Sequence, residues 1–121
     1  MEDSKIEVYN NGKLLFEIIG IKDALKFTHD KEEIEIVVFE TSTGDDFVKI
    51  KAEKTMLGIF AECAWANHTY PGFEKGNQSL LHLEINDMVF PCDLINFKND
   101  ETGEERNIFF DISEFYGKDL F

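Results

Sequence analysis

The chain has 121 residues, 43% of them hydrophobic and twelve of them phenylalanine, and it carries 25 acidic against 12 basic side chains for a net charge of −13. That is the length of one domain, with enough apolar surface to offset the entropy lost on ordering, which excludes a disordered chain. The charge excludes direct binding to nucleic acid or to an anionic membrane and favours basic protein surfaces or cations.

The first residues, MEDSK, lack the basic-then-apolar order of a secretory signal, and no segment has the roughly 20 apolar residues of a bilayer span. The expected compartment is the cytoplasm, with Cys63 and Cys92 as reduced thiols. The acid excess is concentrated. Residues 23–46 hold eight acids against two lysines, and residues 99–121 hold seven acids against Arg106 and Lys118, so these stretches carry eleven of the thirteen net charges.

Taken in order, residues 5–19 read as a hairpin. With Asn10, Asn11 and Gly12 as a three-residue loop, Ile6 faces Phe16, Val8 faces Leu14, and the inward positions are all apolar. Gly20 ends that strand, and Ile21, Ala24, Leu25 and Thr28 recur at the spacing of a short helix. Residues 34–41 (IEIVVFET) and 47–52 (FVKIKA) are β-branched and aromatic-rich strands joined by STGDD; in the second, Val48, Ile50 and Ala52 share one face and Lys49 and Lys51 the other.

The most apolar stretch follows. Residues 56–66, MLGIFAECAWA, contain three of the five alanines and are interrupted only by Glu62 and the small Gly58, which predicts a central helix over about residues 53–67. Two neighbouring stripes offer themselves as its buried side: Met56, Phe60, Cys63 and Asn67, and Leu57, Ala61, Ala64 and Trp65. Residues 67–77 are dense in turn formers and read as a long loop that carries His68, Tyr70 and Phe73. Residues 79–85 and 88–95 form the clearest hairpin. Turning at Asn86-Asp87, it pairs Ile85 with Met88, Leu83 with Phe90 and Leu81 with Cys92, while His82 and Pro91 lie on the other side. A loop over residues 99–104 leads to a strand at 106–112, and Ser113 is placed to cap a short terminal helix ending near Gly117. The expected architecture is one α+β domain over residues 1–121: a mainly antiparallel sheet of hairpins packed against a central helix, in the order ββαββαβββ with a short C-terminal helix.

Catalytic and metal chemistry find little support in the residue types. Two cysteines and three histidines include no Cys-x-x-Cys or His-x-x-x-His spacing, and no glycine-rich phosphate loop or Gly-x-Ser-x-Gly elbow is present. Both cysteines read as core packing. The paired acids Asp45-Asp46 and those between Asp100 and Glu105 lack the alternating oxygen ligands of a calcium loop. No metal and no cofactor is expected.

Two functions from different classes fit. The first is a non-catalytic inhibitor whose acidic surface occupies a basic site on a partner protein, such as a nuclease or another nucleic-acid-binding enzyme whose cleft is shaped for phosphates. Bacterial toxin-immunity proteins and phage inhibitors of host defence nucleases are small, acidic, single-domain proteins of this general kind. The contact residues expected for that role are Glu32, Glu33, Glu35, Glu40, Asp45 and Asp46 in the first acidic stretch. In the second they are Asp100, Glu101, Glu104, Glu105, Asp111 and Glu114, with Phe39, Phe47, Tyr116 or Phe121 as apolar anchors. The role requires those acids to share a face. The second function is a small-ligand-binding or enzymatic domain with a pocket between sheet and central helix, lined by Trp65, His68, Tyr70, Phe73 and His82.

Overall fold

The computed structural model describes residues 5–29 and 31–115. Within them the order is β1 (Ile6–Asn10), β2 (Lys13–His29), β3 (Glu32–Thr41), β4 (Asp46–Lys51), α1 (Thr55–Thr69), β5 (Phe73–Ile85), β6 (Met88–Asn99) and β7 (Glu105–Asp111). The strands close into a barrel in the order β1-β2-β3-β4-β7-β6-β5. Every neighbouring pair is antiparallel except β4 with β7, and β1 completes the ring by pairing Tyr9 and Asn10 with Glu84 and Leu83 of β5. The α+β class, the mainly antiparallel sheet and the central helix are as the sequence predicts. No helix among the described residues is long and apolar enough to cross a membrane.

The expected order is corrected at its first helix. Residues 21–28 lie inside the 17-residue strand β2, so the order is ββββαβββ. The helical spacing there has a different cause. The register of β2 against β3 skips Ile19 and then Lys22, and each extra residue shifts the inward parity by one, so apolar residues recur at three and four rather than two. A third bulge, at Leu15, corrects the first hairpin: Asn11 and Gly12 alone make the turn, both at positive φ, and Val8 pairs with Phe16 and Ile6 with Ile18. The long loop is also corrected. The helix continues to Thr69 and β5 begins at Phe73, with its turn-rich Gly76-Asn77 forming a bulge opposite Asn96. The β5–β6 hairpin keeps the predicted partners and turns through Asn86 and Asp87, with φ of 50° and 68°. Residues 113–115 form a turn; the remainder of the expected terminal helix lies outside the described residues.

Two apolar clusters occupy the two faces of the sheet. Val48 and Ile50 of β4 and Ile108 and Phe110 of β7 face α1, whereas Phe47 and Phe109 face the cluster that Val8, Phe16, Leu83 and Cys92 build. The central parallel pair is therefore covered on both sides. On the helix the buried stripe is Leu57, Gly58, Ala61, Glu62, Trp65 and Ala66. Met56, Ile59 and Phe60 are exposed, and so is Cys63, which corrects its reading as a core residue; Cys92 is buried as predicted. Because α1 is apolar all round, its pattern carries no orientation, and close approach selects the side with the small residues. A Cβ at Gly58 would lie 2.2 Å from the ring of Phe115, which is buried beneath the helix while its carbonyl accepts a hydrogen bond from Thr55 Oγ1 at 3.1 Å. Gly58→Ala is accordingly expected to lower stability by about 1–3 kcal/mol through forced displacement of that ring, read from the urea unfolding midpoint. An unchanged midpoint would show that the Phe115 ring yields without cost.

Candidate protein-binding surface

Because β4 and β7 run parallel, with Asp46 level with Ile108, the β3–β4 loop and the β6–β7 turn leave the barrel at the same end. β7 begins three residues above that level, so its hairpin with β6 projects past the β3–β4 loop. The two loops bring Asp45 to the same end as Asp100, Glu101, Glu104 and Glu105, and Glu40, the last residue before Thr41, stands beside them.

Local hydrogen bonds order the two loops. Thr41 Oγ1 donates to the Asp45 carbonyl at 2.6 Å, Thr43 Oγ1 donates to Asp45 Oδ2 at 3.1 Å, and Gly44 closes the loop at a φ of 88°. In the second loop the Asn99 side chain accepts from the backbone N–H groups of Glu101 at 2.9 Å and Thr102 at 3.3 Å, while Gly103 N–H donates to the Asn99 carbonyl at 2.8 Å. Asp100 and Glu101 stand exposed at its tip. Arg106 bridges Glu104 at 2.8 Å, and Asn96 Nδ2 donates to Glu105 at 3.3 Å.

The other six acids predicted for contact are elsewhere or buried, so the twelve do not share one face as the expected role requires. Glu32 and Glu33 sit at the β2–β3 turn, at the opposite end of β3, and Glu35 is opposite Lys51 and 3.6 Å from Lys26. Glu114 lines a shallow cleft with Lys49 and Lys51. Asp46 and Asp111, at 5% and 8% exposure, serve the interior. Asp111 accepts from Ser113 N–H and Oγ at 2.9 and 2.7 Å, which corrects its place on an interaction surface to that of an internal cap. Phe47 is likewise a core residue, Phe39 is half-buried, and Tyr116 and Phe121 lie outside the described residues.

Asp46 anchors the acidic end from beneath. It accepts from the Tyr70 hydroxyl and from Lys22 Nζ at 3.1 Å, and Lys22 is the second residue of β2 bulged against β3. The Arg106 guanidinium lies 5.4 Å over the Tyr70 ring, whose edge meets Trp65 and Phe73. Sequence reasoning placed Asp46 on the surface and missed this network; the signal for it was Tyr70 just past the helix beside two aromatics.

The pocket predicted between sheet and helix forms only in part. Trp65 and His68 share a small apolar cavity of about 250 Å³ with Leu25, Phe27, Ile36 and Ala64. Tyr70 and Phe73 pack against Trp65 instead, and His82 is exposed on β5 opposite Pro91. No group of three or more His, Cys, Asp or Glu side chains converges as a metal site among the described residues.

Comparison of the chain with models of protein families, with curated proteins and with solved structures yields no match.

Burial, the hydrogen bond to Asp46 and that carboxylate's charge push the Tyr70 hydroxyl up to about 12, against an opposing pull from Arg106. With the folded value raised, the stabilisation is present below pH 10 and is lost as pH climbs through 12. Tyr70→Phe leaves Asp46 with Lys22 alone and is expected to cost about 1–3 kcal/mol at pH 7. The same variant should remove the Tyr70 share of the alkaline destabilisation, measured as unfolding midpoint against pH from 9 to 12; a slope equal to that of the native chain would mean that the hydroxyl is not held by Asp46.

Proposed function

We propose that this protein is a non-catalytic, acidic protein-binding domain that acts in the cytoplasm as an inhibitor, with its acidic end occupying a basic site on a partner. The single observation behind this reading is that two turn-rigidified loops carry Asp45, Asp100, Glu101, Glu104 and Glu105 out of the barrel at one end. Of these, Asp45, Asp100 and Glu101 belong to no ion pair among the described residues. Loops already ordered lose little backbone entropy when they meet a partner, and a −13 chain steers rapidly toward a cationic cleft. The partner chemistry that fits is a surface evolved for phosphates, as in a nuclease or another nucleic-acid-binding enzyme, in the manner of immunity proteins and phage counter-defence inhibitors. Glu32 and Glu33, at the far end, contribute to steering rather than to contact.

A second reading, a small-ligand domain with its pocket between sheet and helix, has the Trp65–His68 cavity in its favour. At about 250 Å³ it suits a compact apolar molecule rather than a drug-sized one.

Affinity capture from lysate of the source organism, washed at low and at high salt, identifies the partner, and binding of charge-neutral variants to it tests the site. The double variants Asp100→Asn with Glu101→Gln, and Glu104→Gln with Glu105→Gln, are each expected to weaken binding at least tenfold, about 1.4 kcal/mol, and to flatten its salt dependence. Glu32→Gln with Glu33→Gln should change it less than twofold. Equal losses from both ends would reduce the acidity to general solubility.

A further inference from the structure

Glu62 is the one carboxylate on the buried stripe of α1, and it is only 3% exposed. Its Oε2 accepts a hydrogen bond from no donor among the described residues. The side chain is not enclosed by apolar packing; it lines a cavity of about 290 Å³ between α1, β5, β6 and the segment after β7. Asp93 of β6 and Lys75 and Gln78 of β5 form the polar wall. Ile59, Ile112 and Phe115 form the apolar one. A buried acceptor without a donor, on a side chain that lines an open cavity beside a second carboxylate, is a site that lacks its donor.

We propose that this cavity is a binding site for the protonated amino group of an alkylamine, either a free small molecule or the lysine side chain of a partner. The proposal stands independently of the acidic end, which lies elsewhere on the barrel. An ammonium is a compact charge with three donors and no acceptor, so it meets both Glu62 Oε2 and the Asp93 carboxylate at once. Its alkyl chain lies along Ile59, Ile112 and Phe115. Lys75, on the same wall, disfavours a divalent metal more than a single charge, because repulsion scales with the charge of the ligand.

Binding is coupled to a proton. Burial, then the hydrogen bond and charge of Asp93, push the Glu62 carboxyl up to about 9 against the pull of Lys75, so the empty site holds Glu62 neutral at pH 7. The groups facing it are Asp93 and Lys75; the Cys92 thiol, on the opposite face of β6, is itself raised by burial and by Asp111, Asp93 and Glu62. When the ammonium enters, Glu62 releases its proton to solvent and the cavity's net charge is unchanged. Affinity therefore rises with pH by up to tenfold per unit and levels off above about 9.

The test is calorimetric titration of the full chain with n-butylammonium at constant ionic strength, at pH 7 and pH 8.5, in buffers of different ionisation heat. Tetramethylammonium, a cation without an N–H, is the control for general screening by an acidic surface. The expected result is one saturable site, release of nearly one proton at pH 7, and at least tenfold tighter binding at pH 8.5. Glu62→Gln, which keeps the neutral form of the native side chain, and Asp93→Asn should each weaken binding at least tenfold; Glu62→Gln should also abolish proton release. A blocked lysine, Nα-acetyl-lysine N-methylamide, supports a partner side chain as the ligand if it binds more tightly than butylammonium, and a free amine if it binds more weakly. Association no stronger than that of tetramethylammonium, or undiminished in folded Glu62→Gln, overturns the proposal.

Discussion

The parallel contact between β4 and β7 is the constraint on which the rest of this fold depends. On these strands successive buried residues, Phe47 and Val48 on one and Phe109 and Phe110 on the other, enter opposite cores. Being buried on both faces, they must be enclosed, and the chain encloses them by placing α1 on one side and by curling β1, β2, β5 and β6 round the other. The same pairing decides which loops share an end. Had β7 run antiparallel to β4, the turn bearing Asp100 and Glu101 would leave from the end where Glu32 and Glu33 lie.

Curling a sheet that far requires local twist, and the bulges at Leu15, Ile19, Lys22 and Gly76-Asn77 supply it. They also govern how much of the fold is legible in the sequence. Where strands are unbulged, as in β3, β4 and the hairpin turning at Asn86-Asp87, alternation reads directly and partners follow from the turn. Each bulge inserts one residue and reverses the face of everything after it. Two of them within residues 18–23 convert a strand's period of two into one that mimics a helix, and one inside a segment containing Gly76 and Asn77 mimics a loop. Nothing local separates these cases, because the deciding term is the ten-residue pairing of β2 with β3, which lies outside any short window.

The acidic end was legible as composition and illegible as geometry. Clusters of acids mark loops, and the loops are where they were expected, but which loops converge follows from strand order. Asp46 and Asp111 show the limit more sharply: both sit among acids in sequence, yet Asp46 turns inward to the tertiary donors Tyr70 and Lys22, and Asp111 to a local one, Ser113 two residues on. The cations obey the same economy. Lys22 and Arg106 lie where the two loops leave the barrel, yet Lys22 pairs with the buried Asp46, and Arg106 bridges Glu104 while covering the Tyr70 ring. Among the described residues Asp45, Asp100 and Glu101 therefore stay outside any ion pair, although Lys98, opposite Glu105 on the same hairpin, offsets part of the charge of that end.

Glu62 follows from the same logic on the helix. With apolar residues all round, α1 is oriented by size rather than polarity, and Gly58, Ala61 and Ala66 permit the close approach that the larger Met56, Ile59 and Phe60 do not. Residue 62 comes inward with them, one position from Ala61 and four from Gly58. A methionine or glutamine there would occupy the same space without a titrating proton, and a carboxylate beside Asp93 is the most costly way to fill it. Packing thus explains why residue 62 is buried but not why it is acidic. A donor that both carboxylates can share accounts for the second fact, and the cavity between them is where that donor fits.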